Sequence, residues 1–153
     1  MLSTACAVCV LTVACGGSPE RLTSRQYRGQ ASTHCETLKD ASNELREAQA
    51  PSAVGKTVTQ YLHGAADRLR ELVDGLRELE PPESFATDAD EMVRLLGSYA
   101  GGLDDLAARV RPGDTLQVTF EQNQKLVERL NGVAGDVTSL VTRLELTGCI
   151  LSA

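Results

Sequence analysis

The sequence contains no tryptophan, and aromatic residues make up only 3% of its 153 positions, two Phe and three Tyr. A core without large rings has to be filled by Leu, Val and Ala, which interlock between helices more readily than between the faces of a sheet sandwich. Lysine is scarce as well, occurring at Lys39, Lys56 and Lys125. Asp and Glu outnumber Lys and Arg by 21 to 15, for a formal net charge of −6. That balance argues against a nucleic-acid partner and against a polybasic grip on anionic lipid. Hydrophobic residues (42%) and charged residues (24%) are otherwise at ordinary globular levels, enough for one domain with a modest core.

No apolar run reaches the roughly 20 residues needed to span a bilayer. The longest is the uncharged leader, residues 1–14, whose length suits the apolar segment of a secretory signal. It ends in Leu11-Thr12-Val13-Ala14-Cys15, followed by Gly16-Gly17-Ser18. This run resembles the lipobox of bacterial lipoproteins, in which the cysteine receives diacylglycerol and becomes the mature N-terminus. Two departures from the pattern are Thr12 where Leu is preferred and the absence of a positively charged segment before the apolar run. The resemblance implies a signal peptide at 1–14, lipidation of Cys15, a flexible tether over 15–30 and a folded domain over 31–153. It also implies a location on the extracytoplasmic face of the cell membrane, held there by acyl chains on Cys15.

Cysteine arithmetic follows from that reading. Cys6 and Cys9 leave with the signal and Cys15 is acylated, so Cys35 and Cys149 remain. An even remainder in an exported chain reads as one disulfide, with two free thiols as the alternative. Closing a loop of about 100 residues would stabilise the fold by roughly 4–5 kcal/mol.

From residue 21 onward, apolar residues recur every three or four positions, the period of amphipathic helices. The first stretch, 21–50, carries Ala31, Cys35, Leu38, Ser42, Leu45 and Ala48 on one stripe and stops at Pro51. The second, 53–79, has a heptad seam through Val54, Val58, Tyr61, Ala65, Leu69, Leu72, Leu76 and Leu79. Pro81-Pro82 end it. The third opens at Ser84 as N-cap, places Asp88 and Asp90 in the early turns, and runs through Phe85, Ala89, Met92, Leu96, Tyr99, Leu103, Leu106 and Val110. After Pro112-Gly113, Asp114 or Thr115 caps a fourth stretch reaching 146. Asn123 falls on its seam as a register residue, and Gly132 and Gly135 are candidate bends. Short connections between long helices predict an all-α fold, an antiparallel up-down-up-down four-helix bundle.

Straight helices would set the two body cysteines far apart. Cys35 lies about 23 Å up its helix from the first turn, and Cys149 about 52 Å along the fourth. A bridge therefore needs a bend near Gly132 or Gly135, a late start to the fourth helix, or a tail folding back after Gly148.

Cys35, the hinge Leu76-Arg77-Glu78-Leu79-Glu80-Pro81-Pro82 and Gly148-Cys149 together resemble a pattern in actinobacterial envelope lipoproteins that have no assigned activity. The resemblance covers about residues 33–149 and implies fold and location alone. The preference for Arg over Lys fits a GC-rich genome of that kind.

Candidate chemical sites are sparse. His34 and His63 are the two histidines, and neither has three companions at metal-ligand spacing, so both read as surface or boundary residues. His63 with Met92 is the one available axial pair for a haem, but His63 falls off the seam. Asp88, Asp90 and Glu91 lack the glycine and distal Glu of a calcium loop and read as a helix start. Asp104 and Asp105 read as a solvated face, and Tyr61 and Tyr99 as core. No nucleophile has a His base at suggestive spacing, and no glycine loop follows a strand to cradle phosphate. The expectation is a non-enzymatic protein without metal or cofactor, an interaction module that docks an envelope protein partner. The alternative is a carrier of a small apolar molecule, with its cavity near Gly97, Gly101 and Gly135.

Overall fold

A computed structural model describes residues 21–149. The apolar leader, Cys15 and the tether up to residue 20 lie outside the described residues. Among those described, the fold is all-α: α1 (Ser24–His34), α2 (Glu36–Ala48), α3 (Lys56–Arg77), α4 (Ala86–Ala107), α5 (Leu116–Gln122) and α6 (Gln124–Arg143). A single 3-10 turn, Glu83–Phe85, leads into α4. None of these helices is long and apolar enough to cross a membrane.

The packed body starts earlier than expected. The Thr23 hydroxyl accepts from the Gln26 backbone while the Gln26 side chain accepts from the Thr23 N–H, a reciprocal cap that starts α1. The Leu22 N–H donates to the Glu80 carbonyl at 2.9 Å, and Tyr27 is 1% exposed. Residues 23–30, given to the tether by the lipobox reading although they fall within the first periodic stretch, thus belong to the fold. At Cys35 the dihedrals stay helical (φ −66, ψ −10), so α1 gives way to α2 without a reversal.

Gly55 begins α3 with φ +49, a conformation that favours glycine, and its N–H donates to the Asp114 carbonyl at 2.8 Å. A Cβ there would lie 3.0 Å from the Gly113 backbone nitrogen. The α2–α3 and α4–α5 turns are thereby pinned together. Along α3 the heptad seam is widened: Leu62, Ala66 and Val73 are buried beside it, Tyr61 is half-buried, and Val54 is 42% exposed. The reason is that α3 packs on both α2 and α4, which needs a broader apolar stripe than one seam.

The later helices start, break and bend at other positions than expected. Ser84 does not cap α4; it sits inside the 3-10 turn, and the helix begins at Ala86 without a side-chain cap. The fourth stretch is two helices, not one. Asn123 departs from helical geometry (φ −126, ψ 35), and its Nδ2 donates to the Thr119 carbonyl at 2.8 Å. The side chain competes for the backbone and ends α5, which a seam register role does not require. Gly132 and Gly135 lie within continuous α6 with nothing near where a Cβ would be, so neither is a bend. Gly75 and Gly102 are the glycines at which helices come close, since the His34 and Leu130 side chains occupy the places of their missing Cβ atoms.

In the packing, α3 lies against α2 and α4, and α4 against α6. Glu44 faces Gly64, His34 faces Gly75, His63 meets Asp104, and Asp88 meets Arg143. Tyr27, Leu38, Leu62, Leu69, Leu72, Met92, Leu96, Leu106 and Leu144 form the fully buried centre. Cys35 and Cys149 are joined by a disulfide across 114 positions, with Cα atoms 5.0 Å apart. The break at Asn123 shortens the arm carrying Cys149 to one helix of about 30 Å. The residues after Arg143 then turn back, with positive φ at Glu145 (53) and Gly148 (83).

Candidate functional site

Because α2 rests on α3 and α6 on α4, the first and last arms have little direct packing on one another. The seam between them opens into a cleft of about 340 Å³. Its floor is α4, through Tyr99, Leu103 and Leu106. Leu116 and Phe120 of α5 close one end, which the change of direction at Asn123 makes possible. Leu45 of α2 faces Val127 and Leu130 of α6 across it. Ser42, Asn43, Arg46, Gln49 and Asn131 form a polar lip. Burial pushes the Tyr99 phenol above its ordinary range, as a mostly dry floor would.

Charge on this surface is uneven. Arg46 is the one charged side chain in the lining, and no Asp or Glu contributes. Its Nη2 donates to Asn43 Oδ1 at 2.9 Å, and among the described residues it forms no ion pair.

Toward the disulfide the same helices behave differently. Cys35, Leu38, Met92, Leu96, Val137, Val141 and Cys149, with Leu72 and Leu76 of α3, enclose a void of only about 10 Å³. Two other depressions lie on the far side of α6. One, about 420 Å³ at the Asn123 break, mixes Asp105 and Glu121 with Arg109, Lys125 and Arg129. The other, about 310 Å³, touches Gly101, Gly102, Leu126 and Val133. A cavity expected around Gly97, Gly101 and Gly135 is therefore not what forms. Gly97 and Gly135 border none of these clefts, and the apolar one opens toward α2, because those glycines lie on outer helix surfaces.

The residues singled out in the sequence distribute as follows. Cys15 lies outside the described residues. His34 stacks against the Gly75 backbone, where a Cβ has no room. His63 is exposed and bonds through Nδ1 to Asp104 Oδ1 at 2.7 Å, whereas Met92 is 1% exposed, so the two do not form an axial pair. Asp88 receives both Arg143 Nε and Nη2, at 3.0 and 2.8 Å, and Glu91 receives Arg94 at 2.7 and 2.6 Å. Those carboxylates are occupied by arginines, and no group of three His, Cys, Asp or Glu converges as a ligand set among the described residues.

Two clusters escaped the sequence reading. Asp104, expected to be merely solvated, joins α3 to α4 by accepting from His63 and from Arg70, which also pairs with Asp67. Partial burial pushes its carboxyl up, but the hydrogen bonds from His63 and Arg70 together hold it below its usual range. Arg28 lies 5.1 Å over the Phe85 ring, donates to the Leu144 carbonyl at 3.3 Å and pairs with Glu145 at 3.0 Å. It ties α1 to the returning tail. Tyr27 beneath it has its phenol pushed up to about 12, chiefly by burial. Neither cluster follows a spacing rule, because each joins residues more than 30 positions apart.

No protein-family model matches the chain, and neither the curated proteins nor the solved structures contain a match.

Proposed function

We propose that the chain is a lipid-anchored, extracytoplasmic, non-enzymatic binding protein that carries an apolar ligand in the cleft between α2 and α6. The observation that carries this reading is an apolar, solvent-reachable cleft of about 340 Å³, within the range of small-molecule sites, in a bundle whose interior beside the disulfide leaves only about 10 Å³. The interaction-module expectation fits this surface less well. One turn of a partner helix, 5.4 Å long and about 10 Å wide, fills roughly 400 Å³, more than the cleft holds.

In this reading α1 with α2, then α3, then α4, then α5 with α6 are the four arms of an antiparallel up-down-up-down bundle. The pairs Glu44–Gly64, His63–Asp104 and Asp88–Arg143 support it, since in each a residue toward the start of one arm meets a residue toward the end of its neighbour. The lipobox-like run ending at Cys15 supports the anchor, and a Cys35–Cys149 bridge suits an oxidising compartment. Leu22 is pinned to Glu80 at the α3–α4 connection, whereas the cleft lies near the opposite turns. The seven residues from Cys15 to Leu22 span at most about 25 Å, so the cleft end is the one held away from the bilayer.

Calorimetric titration of the full-length Cys15→Ser chain, which lacks the acyl groups, with decanol tests the carrier role. One decanol per chain is expected, with a Kd of about 1 mM or tighter at roughly 0.4 kcal/mol per heavy atom, and Leu45→Glu should abolish binding. No heat of binding to the unsubstituted cleft would sink the carrier reading. Mass spectrometry of the native protein tests the anchor: Cys15 as an acylated N-terminus is expected, and an unprocessed chain in the soluble intracellular fraction would overturn it.

A further inference from the structure

We infer that the ligand is an anionic amphiphile, a single chain of about ten carbons ending in a carboxylate or phosphate, with its head on Arg46. This rests on the carrier reading and adds the ligand's charge and length. The protein carries a net charge of −6, yet the wall of its apolar cleft has a single charge, and that charge is positive. Six of the other arginines, Arg28, Arg68, Arg70, Arg77, Arg94 and Arg143, are engaged by carboxylates, whereas Arg21, Arg25, Arg109, Arg111 and Arg129, like Arg46, form no ion pair among the described residues; of these Arg46 alone borders the apolar cleft. Arg46 instead leans on the neutral Asn43 amide, which positions the guanidinium without neutralising it. It stands in the last turn of α2, where the helix dipole favours a cation. The planar guanidinium fork matches carboxylate and phosphate oxygens two at a time, and the Gln49 and Asn131 amides on the same lip add neutral donors. Length follows from volume: 340 Å³ holds about eleven groups of roughly 30 Å³ each. The larger depression at the Asn123 break lacks this selectivity, because Asp105 and Glu121 share its wall with the cations.

The test is a set of calorimetric titrations of the full-length Cys15→Ser chain with decanol, decanoate, decyl phosphate and decyltrimethylammonium. At least one of the two anions should bind about fivefold or more tightly than decanol, and the cation more weakly than decanol. Arg46→Gln, with its fold checked by circular dichroism, should bring the anions to the level at which the same variant binds decanol. A preference for decanoate identifies a fatty acid, and a preference for decyl phosphate identifies a phosphate headgroup. Equal affinity for decanol and both anions, or an anion preference that survives Arg46→Gln, overturns the inference while leaving the carrier reading standing. Failure of every ligand to bind overturns both.

Discussion

Helices α2, α4 and α6 run past one another along the molecule, and the two ends of that path are built differently. Near Cys35 and Cys149 their side chains, with those of α3, leave a void of about 10 Å³; near Leu45, Leu106 and Leu130 they stand apart around about 340 Å³. Leu and Val supply much of both walls, so hydrophobicity does not decide which end closes. The difference lies in what holds the first and last arms together. At one end a covalent bridge and the Arg28 contacts draw the tail onto α1 and α2. At the other, α5 turns away at Asn123 and polar side chains occupy the α2 lip. A helical bundle closes where its outer arms are tied and stays open where they are not.

The most disruptive way to break that contrast is to untie the closed end. Cys35→Ala with Cys149→Ala should destabilise by about 4–5 kcal/mol on the loop-entropy scale and lower the thermal midpoint by roughly 10–20 °C. An unchanged midpoint would mean that packing alone holds the ends together. Next in size is a matched pair on α2. Leu38, 2% exposed and facing the closed end, should cost about 2–5 kcal/mol when replaced by Ala. The half-buried Leu45, whose neighbours already border solvent, should cost under about 1.5 kcal/mol. Equal losses in urea unfolding would remove the distinction between a packed and an open end.

Sequence pattern made the helices themselves legible and the openness of their packing much less so. Pro51, Pro81-Pro82 and Pro112-Gly113 separate the arms where the structure does, because proline and glycine act locally. The apolar stripes of α3 and α4 were likewise readable from their period. The break at Asn123 was not, since its cause is one side chain bonding to Thr119 within a run that stays periodic. Nor was the cleft. Leu45, Tyr99, Val127 and Leu130 look like core residues in any periodicity count, and only the spacing of α2 from α6 shows that they line an opening. Asp104 illustrates the same limit, as its partners His63 and Arg70 come from another helix.

Smaller effects sharpen the contrast. Gly55 ties the turns beside the open end, so Gly55→Ala should cost about 1–3 kcal/mol through positive φ and the close Gly113 nitrogen. A stability equal to the parent in denaturant titration would show that the tie is dispensable. The smallest effect belongs to Asp104. Its carboxyl is held below the usual range in the folded state, so the stability it adds is fully present above the unfolded pKa of about 4 and is lost as pH falls through the lower folded value. The stability gap between the parent and Asp104→Asn should therefore be present at pH 7 and shrink on acidification below about pH 4. A gap that widens on acidification would contradict the assignment.

Methyl-resolved NMR of the full-length Cys15→Ser chain during a decanol titration reads both ends at once. Shifts confined to Leu45, Leu103, Leu106, Leu116, Val127 and Leu130, with Leu38, Leu72, Leu96, Val137 and Val141 unmoved, are expected from a bundle open at one end and closed at the other. Shifts centred on the disulfide end, or none anywhere, would contradict that claim.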